Sequence, residues 1–150
     1  MQTILVAAEA SWIRDQVKVA FVEPGQRVVE VPRGQDVRVA VSEYEPDVVI
    51  LDMQIGNMGG IAVALDMRLE QGEGRMPDAP ILLLLDREAD RFLGRRADVD
   101  AMLVKPIDAG RLRRAVKDLL RPVAAVAATA PEDATRGDER PVPVDLAPES

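Results

Sequence analysis

The chain has 150 residues and carries 19 Lys and Arg against 26 Asp and Glu, a formal net charge of −7. That balance argues against non-specific nucleic-acid binding, and the lack of cysteine and histidine excludes thiol nucleophiles, the usual zinc sites, disulfides and a Ser–His–Asp triad. Apolar residues make up 47% and aromatics 3%, so one domain plus an extension is expected, with a core of Val, Leu, Ile and Ala. No apolar run approaches the ~20 residues of a membrane span. The start, Met1 to Val6, lacks the basic region of a signal peptide. A cytoplasmic chain without direct membrane insertion is the expectation.

Thr3 to Ala7 reads as a first strand. Ser11 is placed to cap a helix whose inner face is Ile13, Val17, Ala20 and Phe21, at helical spacing. Trp12, the single tryptophan, falls off that stripe, where it could serve as a partly exposed anchor for a partner. Pro24-Gly25 ends the helix, and Arg27 to Val31 is a second strand. A helix over Gln35 to Tyr44 would bury Val37, Ala40, Val41 and Tyr44.

Val48-Val49-Ile50-Leu51-Asp52 follows. Apolar residues without alternation, ending on a carboxylate, predict a strand buried on both faces. Gly56, Gly59 and Gly60 suit the next loop to a close backbone approach. A helix from Ile61 to Glu70 would use Ile61, Ala64, Leu65 and Arg68 as its stripe. Ile81 to Leu85 is another doubly buried strand, Asp86 to Arg96 a polar helix, and Ala101 to Val104 the last strand, ending at Lys105-Pro106. Asp108 caps a final helix with Leu112, Ala115, Val116 and Leu119 inside and Arg111, Arg113, Arg114 and Lys117 on a basic face. Residues 1–121 therefore form the folded domain. Residues 122–150, rich in Ala, Pro and acids, have no amphipathic period and no fold of their own; a tail of this kind would order on a partner.

Strands alternating with helices predict an α/β, flavodoxin-like doubly wound parallel sheet of order 2-1-3-4-5. Ligands gather beyond the carboxyl ends of such strands. Glu9, Asp52 and Lys105 should converge there, from the ends of the first, third and last strands.

Asp52 ending the third strand, Met58 and Gly60 in the loop after it, and Lys105-Pro106 ending the last strand together resemble the receiver (CheY-like) domain of bacterial response regulators over residues 1–121. The resemblance implies that Asp52 is a phosphoacceptor, forming an aspartyl phosphate from a histidine kinase or a small phosphodonor. It implies a Mg²⁺ ion held by an acid after the first strand (here Glu9), by Asp52 and by the backbone carbonyl of Gln54. It also implies that Lys105 neutralises a phosphoryl oxygen and that the Lys-Pro step is cis.

The sequence departs from that family pattern. The first of the two acids is Ala8, leaving Glu9 alone, so the Mg²⁺ site is expected to be weak. The hydroxyl position at the end of the fourth strand is Leu85, the aromatic switch position is Met102, and a usual proline is Gly56. Asp86 would repel a phosphoryl group, and an Asp52–Lys105 ion pair is the structural alternative to phosphotransfer.

The first reading is thus an atypical stand-alone receiver. It is not a turnover enzyme but an interaction module or accessory subunit, fastened by its tail to a larger complex. The chain is similar to stand-alone receivers of actinobacteria, one of them associated with the respiratory NADH dehydrogenase. That resemblance implies such a partner, with the chain peripheral to the inner membrane. The second reading is a working phosphorelay receiver modified at Asp52. A flavin protein on the same kind of sheet is disfavoured, because Ala7-Ala8-Glu9-Ala10 lacks a phosphate cradle and aromatics are scarce.

Overall fold

The computed structural model describes residues 1–121; the tail expected over 122–150 lies outside the described residues. The strands are β1 (Gln2–Ala7), β2 (Gln26–Val31), β3 (Val48–Asp52), β4 (Gln54–Ile55), β5 (Met58–Gly59), β6 (Ile81–Leu85) and β7 (Ala101–Val104). The helices are α1 (Ser11–Ala20), α2 (Val37–Tyr44), α3 (Gly60–Gly72), α4 (Arg91–Arg96) and α5 (Ala109–Leu119). The five-stranded sheet has the order β2-β1-β3-β6-β7, and every neighbouring pair is parallel. This is the expected doubly wound order. β4 and β5 form only a two-stranded hairpin in the loop beyond Asp52.

Side chains alternate along each strand, so the sheet divides its apolar residues between two cores. Leu5, Ala7, Val49, Leu51, Ile81, Leu83 and Leu85 face one layer with residues of α2 and α3. Ile4, Val6, Val48, Ile50, Leu82 and Leu84 face the other with Ile13, Val17, Leu112 and Val116 of α1 and α5. All five residues of β3 and of β6 are buried. The four residues of β7, at the edge, are only partly buried.

Several local expectations are corrected. Ser11 is the first residue of α1 and Ala10 stands at the N-cap without a side-chain cap bond. The segment before α2 is a 3-10 turn over Gly34–Asp36. The polar helix after β6 splits into a 3-10 turn over Glu88–Asp90 and the short α4. On α3 the buried face is Val63, Ala64, Met67 and Glu70, while Leu65 is 51% exposed. The buried Glu70 carboxylate explains the rotation. Arg75 binds it through two nitrogens, at 2.9 and 3.0 Å, and Arg38 of α2 approaches to 3.6 Å. A charged residue takes a core position because its partners are supplied. Tyr44 is partly buried, with the Arg27 guanidinium 5.4 Å from its ring centroid. Asp108 does cap α5, accepting a hydrogen bond from the Arg111 N–H at 2.8 Å.

Gly60 fixes how closely α3 approaches the end of β3. A Cβ there would lie 2.2 Å from the Asp52 carbonyl oxygen, and the Gly60 N–H donates to the Met53 carbonyl. Gly60→Ala should lower thermal stability by about 1–3 kcal/mol, although alanine is the better helix former. Thermal unfolding monitored by circular dichroism measures it, and an unchanged or raised Tm would contradict the close approach.

Candidate functional site

Strand parity aims the charged ends of the sheet at one place. Asp52 pairs in register with Leu84, and Leu84 with Leu103. Asp86 and Lys105 each lie one residue beyond the last pair of their ladder, Leu85 and Val104. Asp52, Asp86 and Lys105 therefore share the parity of Ile50, Leu84 and Leu103, on the α1 and α5 side of the sheet.

Asp52 is 1% exposed. The Lys105 ammonium stands 2.6 Å from Asp52 Oδ1 and 2.6 Å from Asp86 Oδ1. It donates an aligned hydrogen bond to Asp86, whereas Asp52 Oδ1 has no aligned donor among the described residues and is held by charge proximity. Burial pushes the Asp52 carboxyl above the ordinary aspartate range, against the pull of Lys105 and of the Gln54 backbone amide. For Lys105, burial lowers the affinity for its proton, but its two carboxylates more than offset this and hold the ammonium charged. Asp86 is held below the usual carboxylate range by its bond to Lys105, against a smaller penalty from burial.

Glu9, Gln54 and Lys105 are all found at this edge. The Glu9 backbone N–H donates to the Gln54 carbonyl at 3.1 Å. That carbonyl is the atom the resemblance assigned to a metal. The Gln54 side-chain amide instead donates to Asp86 Oδ2 at 3.1 Å. Arg14, which the sequence did not single out, donates to the Ala8 and Glu9 carbonyls at 2.8 and 2.9 Å and pairs with Glu30. It fastens the loop after β1. The peptide between Lys105 and Pro106 is cis. Leu85 and Ala8 are fully buried, and Met102 packs under Gly94, where a Cβ would meet its sulfur.

The donor set fits a divalent cation only in part. Asp52 Oδ1 is the buried, undirected oxygen a cation would satisfy. An ammonium already lies against it, and among the described residues no group of three acids could hold a metal. The sequence pattern by itself does not single out Asp86 as a partner of Lys105. The signal was present in the strand order, which makes β6 and β7 neighbours and sets Asp86 beside Lys105.

Because the Asp52 carboxyl titrates above its unfolded value, the folded state binds its proton more tightly. Stability is lost as pH rises from the unfolded pKa through the raised folded one, and the penalty persists at neutral pH. Asp52→Asn, which removes the buried charge and leaves Lys105 with Asp86, should raise Tm at neutral pH by a few degrees. The gain should shrink in acid. Thermal melts of both proteins across pH test this, and a loss of stability at neutral pH would refute it.

Comparison with known proteins agrees with this geometry. The model of the response regulator receiver domain matches residues 4–117. The chain is 31% identical over 122 residues to the transcriptional regulatory protein GltR of Pseudomonas aeruginosa, covering 80% of this chain and 49% of that protein. It is 29% identical over 121 residues to the probable transcriptional regulatory protein TcrX of Mycobacterium tuberculosis, covering 79% and 50%. It thus spans about half the length of the curated relatives it matches. Its fold is similar to that of the Vibrio cholerae chemotaxis protein CheY4, with TM-score 0.69, 21% identity, and coverage of 80% and 99%. It is also similar to the receiver domain of the Pseudomonas aeruginosa sensor histidine kinase PA1611, with TM-score 0.68, 20% identity, and coverage of 79% and 97%. That structure has a magnesium ion coordinated in its active site cleft. With its sheet order, its Asp52–Lys105 edge and a family match over most of its length, the chain belongs to the response regulator receiver domain family.

Proposed function

We propose that this receiver acts chiefly as a protein-interaction module with a blunted phosphorylation switch. The observation that carries this reading is the occupied end of the sheet. Lys105 is shared between Asp52 and Asp86, and the position expected to carry a hydroxyl is the aliphatic Leu85, buried in the opposite layer. Ala8 contributes no carboxylate, so Mg²⁺ at Glu9, Asp52 and the Gln54 carbonyl would bind weakly. An anionic nucleophile facing an anionic phosphoryl group needs more positive charge than this edge supplies. Trp12 and Val19, seven residues apart on α1, are 57% and 64% exposed, and tryptophan is a common anchor at interfaces.

The second reading, a phosphorelay receiver modified at Asp52 by a histidine kinase, is favoured by the survival of Asp52 and Lys105 in contact. Acetyl phosphate with Mg²⁺ separates the two. The interaction reading expects no mass gain of one phosphoryl group on the intact chain. Ready labelling that disappears in Asp52→Ala would establish the second reading and remove the first.

The interaction role has its own test. Affinity purification from native extract, membranes included, should recover one defined complex with the full-length chain and lose it with a version ending at Arg121. The respiratory NADH dehydrogenase implied by the sequence resemblance is the first complex to look for. If neither version retains a partner, the accessory-subunit reading fails.

A further inference from the structure

A carboxylate already sits in the mouth of this site in the manner of a bound ligand. Each oxygen of Asp86 has its own donor: Oδ1 accepts from the Lys105 ammonium at 2.6 Å and Oδ2 from the Gln54 side-chain amide at 3.1 Å. These are the groups that an oxyanion arriving above Asp52 would use, a cation for one oxygen and an N–H for another. The side chain of Asp86 is 35% exposed while that of Asp52 is 1% exposed, so the Lys105 ammonium joins a buried carboxylate to a solvent-facing one. The arrangement is anchored by the backbone, since Asp86 and Lys105 both follow directly on the Leu85–Val104 ladder pair. The Lys105 N–H is bonded to the Leu85 carbonyl at 2.9 Å. An isolated exposed ion pair would be weak, but here the cation is shared with a carboxylate that, among the described residues, has no other charged partner in contact.

We propose that Asp86 is a resident anion. It occupies the anion-binding position above Asp52, saturates Lys105 and Gln54, and thereby excludes phosphate-type oxyanions from the site. The inference rests on the Asp52–Lys105 edge described above and supplies a cause for the blunted switch. Asp86 is a positioning residue: it acts on an incoming anion through the two donors it holds. The ligand class that would displace it is a tetrahedral oxyanion small enough to span Lys105 and Gln54.

The test uses inorganic phosphate as the probe, in metal-free buffer at matched ionic strength. Nuclear magnetic resonance follows the Lys105 and Gln54 side-chain signals. Asp86→Asn keeps the size of the side chain and removes its charge; Asp86→Ala serves if the first variant melts early. The variant should bind phosphate at least about ten-fold more tightly than the parent chain. The gain should vanish when Lys105→Ala is added. Equal responses of parent and variant, or a gain that survives Lys105→Ala, would overturn the inference. Acetyl phosphate labelling of the parent chain is read separately. The interaction reading can therefore fail while the phosphate titration still decides the role of Asp86.

Discussion

A carboxylate buried at the end of an apolar strand must be compensated by its surroundings. Asp52 closes a run of four branched residues and is removed from water with them. Leaving such a group unpaired costs more than the fold can readily supply. The solution here is a single ammonium, Lys105, brought from the strand two places away in the sheet. The loop after β3, the close seat of Gly60 and the parity of β6 and β7 all bear on that one contact. A second carboxylate, Asp86, lies on the same cation, which turns a pair into a chain of charges reaching the surface.

The sheet and its order were legible because parallel strands covered on both faces leave continuous apolar runs. Val48 to Leu51 and Ile81 to Leu85 could be little else in a chain of this length. The convergence of Asp52 and Lys105 followed from the topology alone. The site was less legible where side chains compete for the same partner. Gln54 was read for its backbone carbonyl, which the Glu9 amide occupies, while its side chain turned to Asp86. The charge of Asp86 alone suggests repulsion of a phosphate, whereas its place beside Lys105 depends on the strand order.

The helices erred where local rules met tertiary demands. Ser11 has the chemistry of a cap, but the turn after β1 is fastened by Arg14 on two carbonyls, and the helix begins a residue earlier than a serine cap would set it. On α3 a hydrophobic stripe containing Leu65 was expected. The helix instead turns Glu70 inward because Arg75 and Arg38 receive it. A buried acid with two guanidinium partners is invisible to a periodicity that counts only apolar residues.

The cation on which Asp52 depends follows an edge strand. Among the described residues β7 is hydrogen-bonded on one side only, and none of its four residues is fully buried, whereas β3 and β6 are enclosed. Local openings of a native protein draw on such lightly covered elements before the global core. Fluctuations that loosen β7 would carry Lys105 away from Asp52 while the rest of the sheet stays intact. The protonation of the buried carboxylate is thereby tied to the breathing of the sheet margin, and any molecule that covers β7 would also steady the charge at the centre of the sheet.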